Sequence, residues 1–135
     1  KVPIYGDGLQ IRDWIYVDDH CKGILKALHN GKIGEVYNFG GRSEMTNLDC
    51  LKTIINCIDK TLETEKIFEY VPDRIGHDRR YAIDSNKSMV DLGWKPLEDF
   101  SSGIKKTLKW YQDNSLWLKS RVNTTDYKNW VVKNY

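Results

Sequence analysis

A chain of 135 residues holds one ordinary domain, and a composition 40 % hydrophobic and 12 % aromatic favours a packed globule over disorder. The formal net charge of +2 is too small to call for nucleic acid, and no apolar run is long enough to span a bilayer. Cys21, Cys50 and Cys57 are odd in number and form no C-x-x-C pair, so neither a disulfide framework nor a zinc site is expected and a reduced, cytoplasmic setting fits best.

The chain opens with "KVPIYGDG", without an initiator methionine or a signal peptide, and reads as a fragment of something longer. "VPIYGDG" predicts a short strand closed by a glycine turn. "RDWIYV" is a second extended segment, and the "DDH" after it offers Asp18 or Asp19 as N-cap of a helix through "CKGILKALHN" that stops at Gly31. "EVYNFGG" reads as a buried strand ending at paired glycines. From Asn47 the apolar residues Leu48, Leu51, Ile55, Ile58 and Leu62 recur at helical spacing, with Asp49 well placed against the positive end of that helix. "KIFEYV" returns to extended structure. Ser85 to Leu92 is a short helix ended by Gly93 and Pro96, and Ser101 to Trp117 a longer amphipathic one capped by Ser101 or Ser102. The tail "TDYKNWVVKNY" adds a last turn or two. This pattern predicts a small mixed α/β domain of short strands and about four to five helices. Trp94, Trp110 and Trp117 read as core or core-edge residues, and Lys105, Lys106 and Lys109 as a solvated helix face. The N-x-S/T triplets at Asn86 and Asn123 are read as chance matches.

Little here suggests catalysis. "GDGLQI" has two of the three glycines of a dinucleotide-binding loop, but Ile11 takes the third position, so it reads as a turn. There is no Walker A motif and no Y-x-x-x-K pair, and His20, His29 and His77 are not at metal-ligand spacing. No catalytic set and no metal site are expected. Anion binding is better supported. "YVPDRIGHDRRYAID" packs three arginines, a histidine and three aspartates into one segment without a lysine or glutamate. Arg12, Arg74, Arg79 and Arg80 offer planar forks that match a phosphate, each charge-assisted bond contributing roughly 1.5–3 kcal/mol. His77 can donate to the same oxygens, and Gly76 allows close backbone approach. The competing reading makes Arg12–Asp13 and Asp78–Arg79 ion pairs that hold loops together. Arg79, Arg80, Tyr81 and Asp84 read as a buried ionic brace rather than as ligand contacts. A free-standing phosphate- or RNA-binding module is the alternative of a different class; the near-neutral charge and the lack of an aromatic-rich RNA motif count against it.

"RDWIYVDDHCKGI" is similar to the R-D-[WF]-[IV]-[YH]-V-x-D signature of extended short-chain dehydrogenases that act on nucleotide sugars. "DRIGHDRRYAID", "LGWKP" and "GIKKTLKWY", with a closing W-x-x-x-N-Y at Trp130 to Tyr135, resemble the C-terminal part of the dTDP-glucose 4,6-dehydratases. The main departure is Ile75, where that family usually has proline. The resemblance implies that residues 1–135 form the C-terminal nucleotide-sugar-binding domain of a lyase whose N-terminal Rossmann domain, absent here, holds NAD and the Tyr/Lys pair. It implies conversion of dTDP-glucose to a 4-keto-6-deoxy sugar and water for deoxysugar biosynthesis, a homodimeric parent, and an isolated chain that is inactive. Its substrate contacts fall on Pro3, Ile4 and Tyr5 at the base, Arg12 on the diphosphate, and Asn47 on the nucleotide. Asp73, Arg74, Ile75, Gly76 and His77 match the D-R-x-G-H loop, with Arg74 on phosphate and His77 reaching the nucleotide, and Tyr135 lies near it. Another nucleotide-sugar epimerase, decarboxylase or dehydratase is the alternative within the class, and the "DRIGHDRRY" loop weighs against it. The face turned towards the missing domain is expected to be apolar.

Overall fold

Four short strands and seven helices make up the computed structural model, which describes residues 1–134. In chain order they are β1 (Val2–Tyr5), β2 (Ile11–Asp13), α1 (Val17–Asn30), β3 (Glu44–Thr46), α2 (Asn47–Ile58), α3 (Thr64–Ile67) and β4 (Phe68–Val71). The helices α4 (Asn86–Leu92), α5 (Phe100–Asp113), α6 (Ser115–Val122) and α7 (Thr125–Asn134) complete the order. The chain divides into two compact units, Lys1–Ile104 and a second that begins at Lys105.

In the first unit β1 pairs in parallel with β4, Val2 opposite Phe68 and Tyr5 opposite Val71. Antiparallel β2 and β3 pair from Ile11 opposite Thr46 to Asp13 opposite Glu44. Ile4, Phe68, Cys50 and Ile55 form one buried apolar set, supplied by β1, β4 and one face of α2, while Leu92 and Trp94 are buried at and after the end of α4. The start of α2 explains its position: the Thr46 hydroxyl accepts the Asp49 N–H at 3.0 Å and donates to the Asp49 carboxylate at 2.7 Å, a reciprocal cap. The helix ends at Ile58, before Leu62, where the Asp59 N–H closes on the Ile55 carbonyl. As expected, α4 ends in the left-handed Gly93, φ 58°.

Several expectations are corrected. "EVYNFGG" forms no strand: a strand needs a ladder neighbour, and this segment is held by side chains instead. Ser85 Oγ accepts the Gly40 N–H at 2.6 Å, Ser88 Oγ donates to the Asn38 carbonyl at 2.5 Å, and the Phe39 ring meets Trp94 edge-on with centroids 4.9 Å apart. Asp18 and Asp19 do not cap α1, because the helix starts earlier, after Tyr16, and places both in its first turn. Asp19 is 1 % exposed, and its Oδ2 accepts the Leu97 and Glu98 N–H groups at 2.8 Å each, a cross-chain clamp that composition does not reveal. Asp99, not Ser101 or Ser102, caps α5, its carboxylate accepting the Ser102 N–H at 2.7 Å.

The described residues form seven helices rather than four or five. The added ones are the single turn α3 and α6, which separates from α5 at Asn114 where one continuous helix to Trp117 was expected. Trp94 is core at 2 % exposed, but Trp110 and Trp117 are 47 % and 46 % exposed and pack against each other edge-on, 5.2 Å between centroids, within the second unit. The three cysteines are free, and among the described residues no cluster of metal-ligating side chains and no membrane-spanning helix is found.

Candidate functional site

The loop after β4 turns back on the strand it leaves. The Gly6 N–H bonds the Val71 carbonyl at 3.0 Å, and Gly6, at φ 60°, sits so close to Asp73 that a Cβ would lie 2.7 Å from its Oδ2. Glycine serves this turn twice over, through its backbone freedom and through its missing side chain. Behind it lies Gln10, 1 % exposed, whose Nε2 donates to the Tyr5 carbonyl at 3.3 Å and to Asp73 Oδ2 at 3.1 Å. Both partners are acceptors, so the amide nitrogen must face them. The other end, Oε1, is buried without a partner.

Asp73 organises the loop. Its Oδ1 accepts the Arg74 N–H at 2.8 Å and lies 2.6 Å from His77 Nδ1, which therefore carries the proton. The His77 bond, first among the causes, with the Arg74 N–H and Gln10, holds the Asp73 carboxyl below the usual aspartate range. The His77 side chain is 5 % exposed, so Asp73 fixes a largely buried ring. Gly76 has φ 72° with open space around it, and Ile75 is fully exposed at the tip of the turn. The Arg74 guanidinium lies over the Tyr5 ring, 5.2 Å from its centroid, and forms no hydrogen bond or ion pair among the described residues.

The next residues are strapped alongside β2. The Ile11 N–H bonds the Arg79 carbonyl at 2.8 Å, and the Tyr81 N–H returns to the Ile11 carbonyl at 3.1 Å. This brings Tyr81 beneath Arg12, whose guanidinium carbon is 4.4 Å from the ring centroid. Arg12 donates to the Ile11 carbonyl at 2.7 Å and to the Asp78 carbonyl at 3.0 Å. The Tyr81 hydroxyl donates to the Asp78 carboxylate, which raises the phenol pKa.

The expected ion pairs form with other partners. Asp13 accepts the Ser43 N–H and not Arg12, while Arg79 pairs with Asp7 at 2.8 Å and Arg80 with Glu44 at 2.7 Å. The expected buried brace is reduced to these two ion pairs: Tyr81 bonds Asp78 and Asp84 accepts the Asn86 N–H, both local contacts, and Arg79, Arg80, Tyr81 and Asp84 are all exposed. Arg79 and Arg80 are neutralised by carboxylates. Arg12 and Arg74 are not, and both of their charges act on the Tyr81 hydroxyl. Two cations without a carboxylate, each backed by a tyrosine ring, are suited to a ligand with more than one negative charge.

An open groove of about 260 Å³ runs between β1 and α2. Pro3, Ile4, Tyr5 and Asn47 line it, with Trp14, Cys50 and other apolar residues of α2. Tyr5 therefore belongs to both features: it borders the groove and underlies Arg74. Of the sequence-derived candidates, the groove gathers Pro3, Ile4, Tyr5 and Asn47, and the loop gathers Asp73, Arg74, Ile75, Gly76 and His77. Arg12 stands on β2 against the strap that follows that loop, and Tyr135 lies outside the described residues. Gln10, Asp78 and Trp14 were missed. Only their adjacency to Arg12 or to the loop could have signalled them, since each acts through tertiary contacts.

The described residues do not fit NAD. The turn at Gly6 and Gly8 leads into strand β2 rather than onto a helix N-terminus, so no dinucleotide cradle is formed.

The chain is similar to known proteins over most of its length. A family described as GDP-mannose 4,6 dehydratase matches residues 1–107. The dTDP-glucose 4,6-dehydratase of Shigella flexneri is 47 % identical over 138 residues, covering 99 % of this chain and 38 % of that protein. A crystal structure of the dTDP-glucose 4,6-dehydratase of Bacillus anthracis in complex with NAD superposes with a TM-score of 0.77 at 47 % identity, over 87 % of this chain and 36 % of the other. That of the Streptomyces venezuelae enzyme, also with NAD bound, gives 0.78 at 37 % identity over 85 % and 35 %. The chain thus spans well under half the length of the relatives it matches.

Proposed function

The chain belongs to the GDP-mannose 4,6 dehydratase family, and from that premise we propose that it is the substrate-gripping part of a dTDP-glucose 4,6-dehydratase. The observation that carries this reading is the pair Arg12 and Arg74, which lack carboxylate partners and rest on the rings of Tyr81 and Tyr5, the second of which also borders an apolar groove. In this reading Pro3, Ile4, Tyr5 and Asn47 receive the base, Arg12 and Arg74 take the diphosphate, and the loop Asp73, Arg74, Ile75, Gly76 and His77 closes on the nucleotide, with Tyr135 nearby. The work of this chain is binding and orientation. Oxidation, loss of water and return of hydride to the sugar belong to NAD and to the Tyr/Lys pair in the rest of the enzyme, of which this chain matches the C-terminal part.

The apolar residues Val17, Ile24, Leu25 and Leu28 recur on α1 and are all exposed, as a face awaiting a neighbour would be. We assign that neighbour to the NAD-binding part, and the whole to a cytoplasmic homodimer. The test is a chimera in which this chain replaces the matching C-terminal part of the Shigella flexneri enzyme. Given dTDP-glucose, it is expected to release a product lighter by one water, read by mass. A folded chimera that retains NAD and forms no such product would overturn the assignment.

A further inference from the structure

We propose that Tyr81 is a positioning residue for Arg12: its ring is a shelf that holds the guanidinium flat and directs its remaining N–H groups at a diphosphate. This rests on the reading of Arg12 as a diphosphate ligand and adds the device that prepares it. Arg12 has five N–H donors, and the structure commits two directions, one to the Ile11 carbonyl at 2.7 Å and one to the Asp78 carbonyl at 3.0 Å. Both acceptors are neutral, so the cation keeps its full charge. The Tyr81 ring covers one face of the guanidinium at 4.4 Å.

The shelf is itself held at two points. Its N–H is bonded to the Ile11 carbonyl, which completes the bridge between Ile11 and Arg80, and its hydroxyl is tied to the Asp78 carboxylate. Ile11, Asp78 and Tyr81 thus form one frame around Arg12, in which the residue next to Arg12 anchors the ring that Arg12 rests on. A long, flexible side chain loses rotamer freedom when it binds, and a side chain already fixed loses less, which raises affinity without a new contact to the ligand.

The experiment compares the chain with Tyr81→Phe and Tyr81→Leu, using dTDP and inorganic pyrophosphate as probes and following the Arg12 Nε–Hε resonance by NMR. The ring places Arg12 Hε in an aromatic ring current, so its shift is expected to be kept in Tyr81→Phe and lost in Tyr81→Leu. Affinity for both probes is expected to fall about 5- to 10-fold in Tyr81→Leu and less than about 2-fold in Tyr81→Phe. Tyr81 is exposed, so both variants should keep the thermal midpoint close to that of the parent. Tyr81→Leu binding as tightly as the parent overturns the inference and leaves the function standing. A loss confined to dTDP, with pyrophosphate unaffected, also overturns it, because Tyr81 would then touch the nucleoside rather than prepare Arg12. Equal losses in Phe and Leu would shift the role from the ring to the hydroxyl and overturn it as well. Failure of the parent chain to bind either probe overturns the functional reading itself.

Discussion

Replacing Asp19 by alanine should be among the most damaging single changes in the chain, although Asp19 lies outside the proposed binding site. Its Oδ2 accepts two backbone N–H groups, from Leu97 and Glu98, at 2.8 Å each in a position 1 % exposed. A charge-assisted hydrogen bond contributes roughly 1.5–3 kcal/mol, and removing the acceptor strands two amides at once. Water entering the small void would return part of that loss. The net destabilisation expected for Asp19→Ala is about 3 kcal/mol, and about 1 kcal/mol for Asp19→Asn, which keeps a neutral oxygen acceptor. Urea unfolding followed by circular dichroism reads this directly: with m near 2 kcal/mol/M, the alanine variant should unfold about 1.5 M earlier than the parent at unchanged slope. An alanine variant within about 0.5 kcal/mol of the parent would refute the clamp and the reasoning behind it.

Three further outcomes are expected. Gly41→Ala places a Cβ 1.7 Å from the Trp14 carbonyl oxygen, which is backbone and has little freedom to move, so the variant should lose about 3 kcal/mol or more and accumulate poorly in soluble form. Trp94→Phe removes the indole N–H that donates to the Asp19 carbonyl at 2.9 Å and leaves that buried oxygen one partner short, about 1–3 kcal/mol in the same urea assay. The Asp73 carboxyl, held low chiefly by His77, should titrate below the pH at which an unperturbed aspartate does, as read in an NMR pH series. Its contribution to stability is present above that pH and fades as the pH falls through the lowered value, so Asp73→Asn should flatten the acid limb of stability, and an unchanged limb would contradict it.

The local grammar of this chain was readable where one residue decides the outcome. Gly93 ends α4 because a left-handed residue is needed there, and of the apolar residues at helical spacing from Leu48 onward Ile55 is buried, while Ile58 and Leu62 are exposed. What stayed hidden depends on partners far apart in sequence. "EVYNFGG" has the composition of a strand, but the groups that reach it are Ser85, Ser88 and Trp94. Asp19 looked like a cap because aspartate is a common cap, and only folding brings Leu97 and Glu98 to it.

For the site the same division holds. The arginine-rich loop was visible as a cluster, and the groove residues came from the resemblance. Which arginines are neutralised was not visible: the neighbours in sequence, Asp13 and Asp78, are not the partners, and Asp7 and Glu44 are. That sorting separates Arg12 and Arg74 from Arg79 and Arg80.

Calorimetric titration of this chain with dTDP and with UDP, repeated on Arg74→Ala, tests the account most directly. Part of the pocket is present, so dTDP should bind with a Kd of about 1 mM, about −4 kcal/mol, more weakly as UDP, and not measurably to Arg74→Ala. Binding of dTDP that survives Arg74→Ala unchanged, or no binding by the parent chain at about 10 mM, would contradict the claim that this chain grips a nucleotide diphosphate.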